Sequence, residues 1–151
     1  MTKFLLAVHV LAAIVAIGPV TVAASMFPPA ARRALAAPDD PRATGTVALL
    51  HRICRVYAVV GVVVPVFGFA TASNMGVLGS AWLIVSVALT ALAALVLVAL
   101  VLPAQSALVE AEGGGTREAT VRLAMFTGIF NLLWATVTIL MIVRPGSTTG
   151  A

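Results

Sequence analysis

Residues 6–20 read LAVHVLAAIVAIGPV, and this stretch decides the fold. It carries no charge, and extended over residues 4–27 it stays apolar apart from His9, Thr21 and Ser25. A helix needs ~20 such residues to cross the hydrocarbon of a bilayer. The stretch therefore reads as a membrane span. Two features need a reason: a histidine near its start, and the pair Gly18 and Pro19 near its end.

The rest of the chain repeats the pattern. Residues 47–73 (fully apolar only after Arg55), 81–102 and 119–143 (with Arg122 near its start) are three more segments long enough to span, giving four spans in one domain over residues 1–151. The runs are continuous rather than alternating, which predicts helices and excludes the strands of a membrane barrel. Short connections predict sequential, antiparallel neighbours. The expected fold is an all-α, antiparallel four-helix transmembrane bundle with both termini outside. Composition agrees: of 151 residues, 62% are hydrophobic and 9% charged, with a mean hydropathy of +1.14. Nine Lys/Arg and five Asp/Glu are too few to cover a soluble domain, so the partner of most of the surface is the lipid bilayer.

The connections differ in character. Pro28 and Pro29 predict the end of the first span, followed by a polar loop over residues 28–46 with room for one short interfacial helix. Asn74 predicts a helix end and Ser80 the cap of the next helix. The third helix is expected to continue past Pro103 as an exposed amphipathic stub, stopping at Gly113, Gly114 and Gly115, with Thr116 capping the fourth. Gly18 with Pro19, and Pro65 between Gly61 and Gly68, predict kinks in the first two helices.

Cation placement sets the expected orientation. Arg32, Arg33, Arg42, Arg52, Arg55, Arg117 and Arg122 flank the two long connections, whereas Lys3 and Arg144 lie at the opposite side. Seven against two places both long loops in the cytoplasm of a bacterial plasma membrane. The same arginines, facing an anionic leaflet, account for a pI near 10.7. No basic cluster is interleaved with aromatics on a polar face, so no nucleic-acid partner is expected. Trp82 suits the outer interface. Lys3, the apolar run and the small residues TVAAS imitate a cleaved signal peptide, but three further spans favour a retained first helix.

Polar side chains inside the spans should face protein. From a rise of ~1.5 Å per residue, His9, Gly68, Ser86 or Thr90, and Thr138 are expected to share one layer in the outer half of the bundle. Beneath His9, Ala12, Ala13 and Ala16 form a small-residue stripe that permits close approach. On the fourth helix Thr127, Gly128, Asn131, Ala135 and Thr138 are assigned to the interior, and Ile129, Leu133 and Leu140 to lipid. Three roles fit His9: a neutral imidazole bonded to a hydroxyl or backbone carbonyl across a helix interface, a single axial haem ligand, and a proton relay. Bis-histidine haem ligation does not fit, because His9 and His51 are placed at opposite ends, on the order of 25 Å apart. His51 and Cys54, one turn apart, are weak candidates for a metal such as Cu(I), with Met26 and Met125 at similar depth. No cofactor is the expected state, with haem on His9 as the alternative. The lone Cys54 excludes an intramolecular disulfide. No carboxylate lies within a span, and no Ser/His/Asp set or phosphate-binding loop is recognisable, so an enzyme is not the favoured reading.

The start KFLLAVHVLAAIVAIG and the finish TILMIVRPG resemble a bacterial family of small four-span proteins of unknown function, described as predicted integral membrane proteins. The likeness lies in Lys3, Phe4, Leu5 and His9 at the opening, and in Leu140, Met141, Arg144 and Pro145 at the close. It spans essentially the whole chain and implies the four-span fold, with no particular activity. More distantly, the histidine-bearing first helix is similar to those of copper-resistance D proteins and of the haem-binding membrane protoporphyrinogen oxidase, with His9 as the matching residue. The expected function is a structural or accessory membrane protein, associating with a larger membrane partner or with itself. The alternative is a haem-binding redox protein that uses His9.

Overall fold

A computed structural model describes residues 1–111 and 115–147; Glu112, Gly113 and Gly114, on which part of the predicted linker falls, lie outside the described residues. The described chain is helical throughout, with α1 (Thr2–Ala36), α2 (Pro41–Val60), α3 (Val63–Met75), α4 (Ala81–Val96), a π-helical turn (Leu97–Val101), α5 (Leu102–Glu110) and α6 (Arg117–Val143). They group into four helices long and apolar enough to cross a membrane: Thr2–Ala36, Pro41–Met75, Ala81–Glu110 and Arg117–Val143. The most apolar window of each is only 11% to 28% buried inside the protein. Large side chains such as Ile14, Leu132 and Ile142 point outward. An apolar surface this extensive suits lipid rather than water.

The first span corrects the expected boundary. Pro28 and Pro29 do not end it; α1 runs through Pro19, Pro28 and Pro29 to Ala36. At ~1.5 Å per residue it is about 52 Å long, roughly 20 Å more than a ~30 Å hydrocarbon core requires. Each internal proline removes a backbone hydrogen bond and costs roughly 3 kcal/mol. Packing offsets this: Phe27 and Pro28 are buried, as are Ala31 and Ala34 one and two turns on. Phe27, Ala31 and Ala34 join Val47, Leu50 and Cys54 of α2 in the main core. The predicted long loop with its own short helix is therefore absent. Residues 37–40 alone connect α1 to α2, and the Asp40 carboxylate caps α2 by accepting from the Arg42 N–H at 2.9 Å.

The second span is broken where proline chemistry demands it. Pro65 has no N–H for the Gly61 carbonyl and would press its ring on that turn. The helix stops at Val60 and restarts at Val63, and the Val64 N–H takes the Gly61 carbonyl by a tighter bond of 3.1 Å. Gly61 is suited to this turn, since a Cβ there would meet the Tyr57 and Ala58 carbonyl oxygens at 3.2 and 3.3 Å. Gly76, at φ +66, closes α3 in the left-handed conformation. Ser80 sits at the start of α4 with extended dihedrals, and the Thr116 hydroxyl caps α6 by accepting from the Ala119 N–H at 3.1 Å.

The interior is lined by small residues. Ala16, Val20, Ala23, Ala24, Phe27, Ala31 and Ala34 recur every three or four positions along α1 and are buried. From α6 the buried residues are Thr120, Leu123, Thr127, Phe130 and Val137. This corrects the face assigned to the last helix: Ala135 and Thr138 point outward, while Leu133 packs against the core. The Thr136 and Thr138 hydroxyls donate to the Leu132 and Trp134 carbonyls of their own helix, at 2.8 and 2.9 Å. A threonine satisfied in this way can face an apolar surrounding, so its polarity is no guide to the interior. A smaller cluster of Ala72, Trp82 and Leu83 lies at the other end. There the Arg144 guanidinium stands 5.7 Å from the centre of the Trp82 ring and ties the end of α6 to the start of α4.

Close approach at Ala24, which is fully buried, predicts intolerance of volume. Ala24→Leu should lower stability by about 1–3 kcal/mol, read as a reduced melting temperature in detergent micelles, whereas Ala88→Leu on an exposed position should leave it unchanged.

Candidate functional site

Two histidine sites are built by different means. The first lies where α2 meets α5. Ordinary helical spacing puts His51 and Cys54 on the inward face of α2, and both are buried. The facing surface depends on the π-helical turn. The Leu102 N–H reaches back five residues to the Leu97 carbonyl, and Pro103, which has no N–H, follows directly. Such a turn inserts one residue into the helix and rotates all that follows by about 100°. The rotated segment presents Gln105 and Ser106 to α2.

The Gln105 carboxamide is fully buried and bridges both α2 side chains. Its Oε1 lies 3.1 Å from His51 Nδ1, and its Nε2 donates to Cys54 Sγ at 3.5 Å. Because Oε1 can only accept, His51 carries its proton on Nδ1 and donates it. That leaves a lone pair on Nε2, which accepts from the Ser106 hydroxyl at 3.2 Å. Ser106 itself is half-buried. The result is a directed chain, Ser106 to His51 to Gln105 to Cys54, in which every polar atom has a partner.

The second site joins α1 to α3. His9 Nδ1 lies 2.9 Å from the Val64 carbonyl oxygen. An oxygen that only accepts fixes the proton on Nδ1 and leaves Nε2 as the free lone pair. The ring lies on bare backbone: a Cβ on Gly68 would come within 2.9 Å of His9 Cε1 and 3.2 Å of Nδ1. Gly68 and the carbonyl one turn before it thus form a seat for the imidazole.

The other residues of the expected polar layer take different hydrogen-bond partners. Ser86 is fully buried, but its hydroxyl donates to the Trp82 carbonyl at 2.8 Å, and Thr90 likewise to Ser86. Thr138 is exposed and bonded within α6. Asn131 reaches α1, donating from Nδ2 to the Ser25 hydroxyl at 3.0 Å. The structure thus brings His9 to Val64 and Gly68, and no side-chain hydrogen bond joins it to Ser86, Thr90, Asn131 or Thr138.

Around Cys54, Met26 and Met125 are more than half exposed and point away from the core. Among the described residues no group of three or more His, Cys, Asp and Glu is placed to hold a metal ion. Between three and four helical turns separate His51 from Val64, about 20 Å along the helix, so the two histidines belong to separate sites. Two open cavities of about 270 and 280 Å³ flank the α1–α2 junction, and neither is lined by a histidine.

Gln105 and Ser106 were not singled out by sequence reasoning, which treats residues after Pro103 as an exposed stub. The stub is instead part of the packed protein. The available signal was an uncharged carboxamide in the apolar run VLPAQSALV. Such a group beside lipid is costly unless it is bonded.

Gly68→Ala should push the His9 ring from its seat and cost about 1–3 kcal/mol, from overpacking and the weakened bond to Val64. In a double-mutant cycle with His9→Ala, followed by thermal melting, the two losses should be less than additive.

Comparison of the chain with protein-family models, with curated proteins and with solved structures finds no match.

Proposed function

We propose that this chain is a structural or accessory four-span protein of a bacterial plasma membrane, working by packing against a membrane partner or a second copy of itself. One observation carries the reading: all four long helices present apolar surface outward over lengths sufficient to cross a bilayer. An antiparallel arrangement is supported by contacts between early and late parts of neighbouring spans. His9, near the start of α1, meets Val64 and Gly68 late in the second span. Arg33, near the end of α1, lines the same cavity as Arg42 at the start of α2. The arginine-rich connections then lie together at one end, and the positive-inside bias assigns that end to the cytoplasm. Both termini lie outside. The small four-span family resembled at Lys3, Phe4, Leu5 and His9 is consistent with this reading and adds no activity to it.

A second reading, a haem-binding redox protein, is favoured by one specific observation. A histidine that ligates iron commonly donates its other ring N–H to a backbone carbonyl, which fixes the tautomer and directs the free nitrogen to the metal. His9 has this pattern, with Nδ1 on the Val64 carbonyl and Nε2 free. Its chemistry fits a single axial bond. Bound haem would supply one-electron transfer, and the chain's own contribution would be to orient His9.

Two experiments separate these readings. A periplasm-dependent reporter fused after Ala151 should be active, and alkaline carbonate should not extract the protein from membranes; an inactive reporter inverts the orientation. Purified in mild detergent after growth with added haem, an accessory bundle should show no Soret band. A band lost in His9→Ala would replace the first reading with the second.

A further inference from the structure

The Ser106–His51 pair differs from the commonest hydroxyl arrangement within the spans, and from the Ser25 hydroxyl, which accepts from the Asn131 carboxamide. Thr71, Ser86, Thr90, Thr136 and Thr138 all donate to a carbonyl four residues back in their own helix. Such back-bonding is the ordinary way for a helical hydroxyl to be satisfied. Ser106 instead commits its hydroxyl to an imidazole nitrogen on another helix, 3.2 Å away. That imidazole is held by a third group, Gln105, through its opposite nitrogen at 3.1 Å. A hydroxyl within hydrogen-bond reach of a base, with the base oriented by a third side chain, is the constellation that activates a serine nucleophile. A carboxamide can serve as the orienting group, since it need only accept the Nδ1–H and fix the tautomer.

Accessibility and depth agree with that chemistry. The orienting Gln105 is fully buried, His51 is 9% exposed, and Ser106 is half-buried and the most accessible of the three. From Ala81, where α4 begins, to Ser106 the helix rises about 37 Å, more than the ~30 Å of hydrocarbon. With Ala81 at the far hydrocarbon edge, the Ser106 hydroxyl falls just past the near one, at the level of the ester groups of membrane lipids.

We propose that Ser106 is a nucleophile, His51 its general base and Gln105 the positioning residue, and that the site transfers acyl groups from amphiphilic esters at the membrane interface. Ser106 Oγ attacks the ester carbonyl carbon while its proton passes to His51 Nε2. The C–O bond to the alcohol then breaks, and the alcohol leaves with the proton from His51. Water or an acceptor alcohol releases the acyl group from Ser106 by the same steps in reverse order. The inference goes beyond the accessory reading and depends only on the α2–α5 contact, so its failure leaves the topology untouched.

The test uses the full chain in detergent micelles and an alkyl fluorophosphonate. Labelling forms an Oγ–P bond, breaks P–F, releases fluoride and places the serine proton on His51. Mass spectrometry should find one adduct, on Ser106, and Ser106→Ala should abolish it. His51→Gln should slow labelling by about 100-fold, the usual worth of a general base. Gln105→Leu should slow it as well, and Gln105→Glu, which still accepts from Nδ1–H, should restore it. Circular dichroism melts of the same samples show which variants remain folded. Ser106→Ala, which removes only a hydroxyl, keeps the test decisive where His51→Gln unfolds. A medium-chain p-nitrophenyl ester gives an independent reading, with a burst of one nitrophenolate per protein. Absence of both adduct and burst, labelling that persists in Ser106→Ala, or a folded His51→Gln that labels at the parent rate would overturn the proposal.

Discussion

In an apolar surrounding a polar group keeps its cost until it finds a partner inside the protein. Much of the structure follows that constraint, with Thr127 Oγ1, Asn131 Oδ1 and the indole Nε1 atoms of Trp82 and Trp134 as the buried exceptions among the described residues. Most embedded hydroxyls are quieted by their own helix, as with Ser86 on the Trp82 carbonyl and Thr136 on Leu132. The groups that cannot be satisfied locally, two imidazoles and two carboxamides, are the ones that stitch helices together. His9 joins α1 to α3, His51 and Gln105 join α2 to α5, and Asn131 joins α6 to α1. Polar chemistry here marks the interfaces, while small apolar side chains such as Ala24 and Ala93 set how closely the backbones approach.

Proline shapes both histidine sites by way of the backbone. Pro65 breaks the second span at Gly61 and Val62, and His9 is seated just beyond that break on the Val64 carbonyl. Pro103 follows a π-helical turn whose extra residue swings Gln105 and Ser106 toward α2. The prolines of α1 act differently. There the helix absorbs Pro28 and Pro29, because the segment beyond them has a packing partner in α2. The same residue type therefore ends a helix, breaks one or is carried through, according to what the flanking turns can bury.

Part of the architecture was legible in particular residues. The unbroken apolar runs, the cap at Thr116, the break ahead of Pro65 and the proximity of His9 to Gly68 all follow from local rules of length, capping, missing donors and helical rise. Other features depended on long-range packing. The first helix outlasts its double proline because Ala31 and Ala34 are buried against α2. The last helix turns Thr138 outward because a back-bonded hydroxyl has no need of the interior. The stub after Pro103 is drawn into the core by a carboxamide that needs two partners at once.

The sequence by itself determined that four helices are long and apolar enough to span a membrane, because length and hydropathy are additive along the chain and need no knowledge of neighbours. It also marked His9 as a residue to be explained, since an imidazole beside lipid must bond to something, and His51 as a possible metal ligand with Cys54. Only the tertiary structure decided what they bond to. A hydrogen bond depends on the rotation of one helix against another, and a single π-helical residue changes that rotation by about 100° without leaving a periodic trace in the sequence. That rotation brings Ser106, His51, Gln105 and Cys54 into one directed chain.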